Sequence, residues 1–296
     1  MRRSVNWVAW AFRPALAITF ALAICIAPAA QPSPHVVLVT GDDEYRSEVT
    51  MPMIAAILEA RHGIRTSVAY ARPTPQTADN IGDLEALDTA DAMVLFTRFR
   101  ALPEEQLQKI LRFVESGKGL VGLRTSTHAF QYKAGHPREG LNDAFGRDVF
   151  GQKWITHHGS QSSTDVTVHA SDATHAILRG VVPFHARSWL YHVDPLNGPA
   201  TVLLDGTAVN SNKAARQTEF PLTQPVAWTR QYKQSRVFFT TLGHPDDFAA
   251  EPMRRLVLNG ILWALGRDVP AGGAEAAVVG TYVPPETYDL SKLPPR

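Results

Sequence analysis

Three short stretches set reactive side chains just beyond apolar runs: Asp42-Asp43-Glu44-Tyr45 after HVVLVT, Thr125-Ser126-Thr127-His128 after GLVGLR, and His244-Pro245-Asp246-Asp247 after RVFFTTL. Acids, hydroxyls and imidazoles gathered in this way suit proton transfer. His244 is the leading general acid or base, with Asp246 close enough in sequence to orient its ring, and His128 is a second such group. Each residue taken alone has an ordinary alternative, because polar residues after a strand also cap helices and close turns. Their shared position at the ends of apolar runs favours function for His128 and His244.

Two further clusters add rings. GQKWITHHGS carries Trp154, His157 and His158; adjacent histidines point in different directions, so at least one of the pair serves structure. SWLYHVDPL carries Trp189, Tyr191, His192 and Asp194. In a regular strand Tyr191 and His192 face opposite sides, so only one of them can face a given pocket. Aromatic faces beside His and Asp suit a sugar, whose C–H faces stack and whose hydroxyls need donors and acceptors; a satisfied core tryptophan is the alternative.

The elements that must position these residues follow from the pattern. HVVLVT (35–40), IRTSVAY (64–70), ADAMVLFTR (90–98) and GLVGLR (119–124) read as strands. MPMIAAILEARHG reads as a helix ending at Gly63, and PEEQLQKILRFVESG as one with Leu107, Ile110, Leu111 and Val114 at helical spacing. Strands alternating with helices predict a parallel sheet covered on both faces, with ligands at the carboxyl ends of its strands. Residues 131–235, with the short strands TDVTV, SWLYHV and TVLLDG, read as an elaboration around that edge. PVAWTRQY and RVFFTTL read as a hairpin or adjacent strands, residues 251–265 as a helix, and residues 271–296 as a Pro/Gly/Ala-rich tail over the surface.

Length and composition fit this organisation. Of 296 residues 45% are apolar and 19% charged, an ordinary globular balance rather than a disordered one. Residues 1–30 read as a signal peptide: arginines, an apolar run over 15–26 shorter than the ~20 residues a membrane span needs, then Ala27-Pro28-Ala29 for cleavage near Ala29 or Ala30. The expectation is therefore a periplasmic or secreted protein without a stable membrane anchor. Cleavage takes the formal charge from +1 to −2, with 26 basic against 28 acidic residues, and nothing suggests nucleic acid as a partner. It also removes Cys25, the only cysteine, and with it any disulfide, thiolate metal site or cysteine nucleophile.

The segments VTGDDEYRSE, GLVGLRTSTHAF, AFGRDVFGQKWITHHG, and PVAWTRQY through RVFFTTLGHPDDF into RRLVLNGILWALGRDVP resemble the ThuA-like family, named for trehalose utilisation, over about residues 35–270. That family is similar in fold to class I glutamine amidotransferases. The resemblance implies a three-layer α/β sandwich with a mostly parallel central sheet of flavodoxin-like type, a domain over residues 31–270, and no amidotransferase chemistry. GLVGLRTST occupies the place of the nucleophile elbow and His244-Pro245-Asp246 that of His-Pro-Glu; counting from Gly122, the cysteine position falls on Arg124, which stays protonated and cannot attack. A hydrolase using Ser126 or Thr125 with His244 and Asp246 remains an alternative that the register of the elbow does not favour.

What the resemblance further implies is catabolism of trehalose or a related disaccharide or glycoside, in which a partner dehydrogenase first oxidises a hydroxyl to a 3-keto group. On that reading the partners are a small-molecule carbohydrate and a sugar dehydrogenase of the same pathway. The catalytic residues are His244, Asp246 and His128. The substrate-binding residues are Asp43, Glu44, Tyr45, Arg124, Trp154, His157, His158, Tyr191 and His192. A divalent, zinc-like metal on His128, His158 and His244, with Asp246 as a carboxylate, is a variant. The rival reading is a non-catalytic carbohydrate-binding protein on an amidotransferase-like scaffold.

Overall fold

In chain order the elements are β1 (His35–Gly41), α1 (Ser47–His62), β2 (Arg65–Ala69), β3 (Ala92–Thr97), α2 (Glu104–Glu115), β4 (Gly119–Leu123), α3 (Leu141–Phe145), β5 (Thr156–His157), β6 (Ser163–Val168), β7 (Phe184–Ala186), β8 (Tyr191–His192), β9 (Thr201–Val209), β10 (Thr223–Tyr232), β11 (Ser235–Thr240) and α4 (Glu251–Ala264). The structure is a computed structural model that describes residues 33–289 together with residues 1, 4–6 and 291. Cys25 and the expected signal peptide, apart from residues 1 and 4–6, lie outside the described residues. No helix among the described residues is long and apolar enough to cross a membrane.

Every residue of β1, β3 and β4 is buried. Continuous apolar runs of this kind are stable only where both sheet faces are covered, and alternate residues here feed two cores. Val36, Leu38, Val94, Phe96, Val121 and Phe238 pack with Met51, Ile54 and Leu58 of α1 and with Leu256, Val257 and Ile261 of α4. Val37, Val39, Met93, Leu95, Leu120 and Phe239 pack on the other face with Leu107, Ile110, Phe113 and Val114 of α2 and with Phe145 and Phe150. The result is the three-layer α/β sandwich expected, helices on both faces of one sheet. On α2 the buried stripe takes in Phe113, while Leu111 is only partly buried. Gly63 ends α1 in the left-handed region, φ 59°, as the helix-ending glycine predicts.

The strand order is β2-β1-β3-β4-β11-β10-β9-β6-β7. The first five strands are parallel; β10, β9, β6 and β7 continue the same sheet in antiparallel fashion. β10 and β11 form the hairpin expected, with Tyr232 opposite Ser235. The middle of the chain therefore widens the sheet as well as elaborating its edge. Only β5 and β8 leave it, as a two-residue antiparallel ribbon. Because β2 and β3 lie on opposite sides of β1, the topological switch point falls between β1 and β3, where open α/β sheets keep their ligand crevice.

One glycine holds the loop after β4 in place. A Cβ on Gly146 would stand 2.0 Å from the carbonyl oxygen of Thr127, a backbone atom that cannot rotate away. Gly146→Ala is expected to destabilise the protein by ~1–3 kcal/mol through overpacking and to displace the turn that bears His128. A chemical-denaturation midpoint equal to the parent's would contradict this.

Candidate functional site

Four loops meet at the carboxyl ends of the parallel strands. After β4 the chain turns sharply into a short 3-10 turn, Arg124–His128, with Arg124 at φ 42°. A positive φ at a non-glycine residue on a strand-to-helix turn is the strained geometry of a nucleophile elbow. Here an arginine stands on such a turn. Arg124 is fully buried: Nη1 donates to the Thr241 carbonyl at 2.9 Å, and Nη2 to the Tyr45 hydroxyl at 3.0 Å. Its guanidinium carbon lies 4.1 Å from the ring centre of Tyr45 and 4.7 Å from that of Tyr191. Among the described residues no carboxylate forms an ion pair with it, so two aromatic faces hold the cation.

Above this cation, aromatic rings form a belt. Phe99 packs on His128 at 4.9 Å, His128 on Trp154 at 5.5 Å and on Tyr191 at 6.3 Å. Trp154 continues to His157 at 6.3 Å, His157 to Trp189 at 4.9 Å, and Trp189 to Tyr45 at 6.3 Å. The belt encloses a cavity of about 160 Å³, with Glu44 and Arg98 also in its lining. A larger hollow of about 400 Å³ opens beside Arg236 and Trp263, near the start of β11, and no histidine or acid lines it. The histidines and the glutamate line the smaller cavity.

Buried acids lock these loops together. Asp42 accepts the backbone N–H groups of Glu44 and Tyr45, each at 2.6 Å, and the Thr125 hydroxyl, joining the loop after β1 to the elbow. Asp43 is paired with Arg98 at 3.0 Å and Arg100 at 3.2 Å, and Glu44 with Arg98 at 3.1 Å. Asp247 accepts the N–H groups of Gly243 and His244, each at 3.0 Å, and both the N–H and the hydroxyl of Ser188.

Hydrogen bonds also bear on the tautomers of two histidines. With its one proton on the Arg124 carbonyl, 3.2 Å away, Thr127 Oγ1 accepts from His128 Nδ1 at 3.0 Å. The Nδ1 of His128 therefore carries the hydrogen and Nε2 a lone pair. His244 is the reverse: its Nδ1 accepts the Asp246 backbone N–H at 3.2 Å, which puts the hydrogen on Nε2. Burial first, then the field of Arg124 among other cations, keeps His244 down at about 3 and His157 at about 4. Burial, then Arg98 and Arg124, lowers His128 far below its ordinary range. Burial raises Glu44, against the pull of Arg98.

These shifts link stability to pH. Between about 6.5, where unfolded histidines titrate, and about 4, the unfolded chain takes up protons that the folded chain refuses, so stability falls as pH drops through that window. The slope is at most about 1.4 kcal/mol per pH unit for each fully buried histidine, and less for the half-open His157, where water screens the charge. Urea midpoints should decrease from pH 7 to pH 5; equal midpoints would contradict the assignment.

Of the residues singled out in the sequence, Glu44, Tyr45, His128, Trp154, His157 and Tyr191 line the cavity, and Arg124 lies behind it against Tyr45 and Tyr191. Asp43 is spent on its two arginines. His244 stands one ring back, 5.9 Å from Tyr45, and caps the 3-10 turn Pro245–Ala249, the ordinary role weighed for such a residue. The Asp246 carboxylate is half exposed and 3.6 Å from His244 Nδ1; it is the backbone of Asp246 that orients the ring. The paired histidines diverge as expected: His158 turns to the Ser211 hydroxyl at 2.9 Å. His192 likewise faces away from Tyr191 and packs on Phe220 at 5.4 Å. His128, His158 and His244 do not assemble, and among the described residues no group of three His, Cys, Asp or Glu could hold a metal ion, so the zinc-like set does not fit. Nor do the hydroxyls complete a triad, since Ser126 donates to the Leu95 carbonyl and Thr125 to Asp42.

Four residues escaped the sequence reading of the site. Arg98 and Phe99 follow β3 at its carboxyl end, the same signal that marked the other three loops. Trp189 belonged to a recognised aromatic cluster. Asp247 carried no signal beyond its place beside His244; its role depends on Ser188, distant in sequence.

An open, mostly parallel sheet covered by helices on both faces, with an aromatic crevice at its switch point, defines a three-layer α/β sandwich. Within that class the chain belongs to the ThuA family, described as trehalose utilisation, whose family model matches residues 35–264. A ThuA-like protein of Bacteroides uniformis ATCC 8492 aligns with a TM-score of 0.55 and 16% identity over 82% of this chain and 96% of that one. One of Parabacteroides merdae ATCC 43184 aligns with a TM-score of 0.54 and 16% identity over 80% and 92%. At this identity the two show the fold alone. No curated protein matches the sequence.

Proposed function

We propose that this protein performs acid/base chemistry on a keto-sugar derived from trehalose or a related disaccharide or glycoside. The observation that carries the reading is His128: a neutral imidazole in an aromatic-walled cavity, its Nε2 lone pair free of the Nδ1 bond to Thr127, beside the buried carboxyl of Glu44. A ketone at C3 acidifies the neighbouring C–H. His128 Nε2 takes that proton, the C–H electrons form the enolate, and the enolate expels the glycosidic oxygen at C1, which takes a proton from water; the hydroxide left adds to C1 as His128 returns its proton to C2. That addition across the double bond returns the free keto-sugar. Arg124 and Arg98 supply positive field for the enolate oxygen. The family's description supports the substrate class, and the aromatic belt supports a sugar ring.

No cysteine or metal enters this scheme. A preceding dehydrogenase supplies the ketone, and export to the periplasm or medium remains the expectation from residues 1–30. The aromatic cavity alone would serve a binding protein equally well, so the test must read chemistry. Proton NMR of 3-keto-trehalose in deuterium oxide with the purified protein is expected to show exchange of the proton beside the ketone and release of a sugar. Line broadening with neither exchange nor release would establish a binder instead.

A further inference from the structure

We propose that Tyr288, in the C-terminal tail, is a positioning residue of the site: acting through residues 42–46, it holds the cavity wall that Glu44 and Tyr45 form. Its role in the reaction rests on the sugar reading above; its hold on the wall does not.

The tail lies beyond the residues that the family model matches, yet it is tied to two of the loops that build the site. Tyr282 donates its hydroxyl to the Pro245 carbonyl at 2.9 Å, next to His244. Further on, the Tyr288 N–H donates to the Glu44 carbonyl at 2.9 Å, and the Tyr288 hydroxyl to Glu48 Oε1 at 2.9 Å. Pro284 and Pro285 stand between these anchors and fix φ there, which lowers the entropy lost when the tail is laid down.

Tyr288 is the anchor that bears on the cavity. Arg46, the residue before α1, sits at φ 55°, a left-handed conformation that a non-glycine residue keeps only where its surroundings hold it. Much of that hold comes from the tail. The guanidinium carbon of Arg46 lies 4.5 Å from the ring centre of Tyr288, and its Nη1 donates to the Glu286 carbonyl at 3.0 Å. Its Nε donates to Glu48 Oε1 at 2.8 Å, the same oxygen that accepts the Tyr288 hydroxyl. Directly before Arg46 come Glu44 and Tyr45, both in the cavity lining, with Glu44 paired to Arg98 and Tyr45 accepting from Arg124. Tyr288 therefore grips the residue on each side of Tyr45, one by its carbonyl and the other by its cation. Asp42 fixes the start of this loop and Tyr288 its end.

The test compares the parent with Tyr288→Ala and Tyr288→Phe by hydrogen exchange and steady-state kinetics. The amides of Glu44 and Tyr45, bonded to Asp42, and of Val49 and Thr50, bonded to the Arg46 carbonyl, report on the loop. Tyr288→Ala removes the ring beside Arg46 and the bond to Glu48, so exchange over residues 42–50 is expected to quicken about tenfold, with α2 unchanged. Tyr288→Phe keeps the ring and the backbone bond and should stay within about threefold of the parent. With 3-keto-trehalose as substrate, KM should rise about threefold to tenfold in Tyr288→Ala, because a loosened wall must be re-ordered on binding. The kcat should hold, since His128 stands on another loop. Exchange equal to the parent's in Tyr288→Ala overturns the proposal and leaves the sugar reading standing. Faster exchange with KM and kcat both unchanged overturns the role in the site, since the anchor then serves the fold alone. A parent that neither binds nor turns over 3-keto-trehalose overturns the sugar reading, and the exchange comparison then decides the hold on the wall by itself.

Discussion

Replacing His128 by asparagine is expected to lower turnover of a 3-keto-disaccharide by ~10²–10⁴-fold, the range for loss of a general base, with little change in KM. The argument is one of proton positions. With the Thr127 proton on the Arg124 carbonyl, Thr127 accepts from Nδ1 and Nε2 carries the lone pair. Burial and two nearby arginines keep the ring neutral, so it is ready as a base throughout the neutral pH range. Turnover should accordingly be level from pH 6 to pH 8 rather than fall on the acid side near an ordinary histidine value. Thr127→Val offers a finer check: it removes the group that holds the tautomer, and should lower kcat at nearly constant KM because its effect passes through His128. If His128→Asn turns over like the parent while His244→Ala does not, the roles of the two histidines are reversed.

The second large effect concerns stability. Asp247→Ala should destabilise the fold by ~2–4 kcal/mol, since it leaves the Ser188 N–H and hydroxyl without their acceptor and the Gly243 and His244 N–H groups with only the Ser188 oxygen at 3.1 Å. The carboxylate is 1% exposed and receives Gly243, His244 and both donors of Ser188. It fastens the loop bearing His244 to the segment that delivers Trp189. Asp247→Asn keeps the shape but supplies one oxygen where two accept, so it should lose less than Asp247→Ala. Denaturant midpoints would decide: a loss under 1 kcal/mol for the alanine variant would mean that water replaces the carboxylate and that the loop is open.

Much of the fold was legible because it rests on periodicity. HVVLVT, ADAMVLFTR and GLVGLR are continuous apolar runs, and only a strand buried on both faces accommodates one. The carboxyl-edge rule then brought Glu44 and Tyr45, after β1, and His128, after β4, to one cavity from two separate places in the chain. The same rule applied to β3 would have found Arg98 and Phe99. What stayed hidden was that β6 and β7 extend the sheet beyond β9, because they are short and their partners are set by contacts across 18 to 46 residues.

Within the site the division is similar. Arg124 at the elbow excluded a cysteine-type nucleophile by residue identity alone, and the alternation of a strand foretold that Tyr191 and His192 would part. Residue type likewise named the histidines as candidates for proton transfer. It could not say which of them meets the cavity, which nitrogen carries the proton, or that Asp246 would act through its backbone and Asp247 through its side chain. Those depend on hydrogen bonds a few ångströms long between residues brought together by the packed sheet, and on burial that keeps the imidazoles neutral. Chemical identity and local pattern lie in the sequence; proton position and electric field exist only once the chain has folded around them.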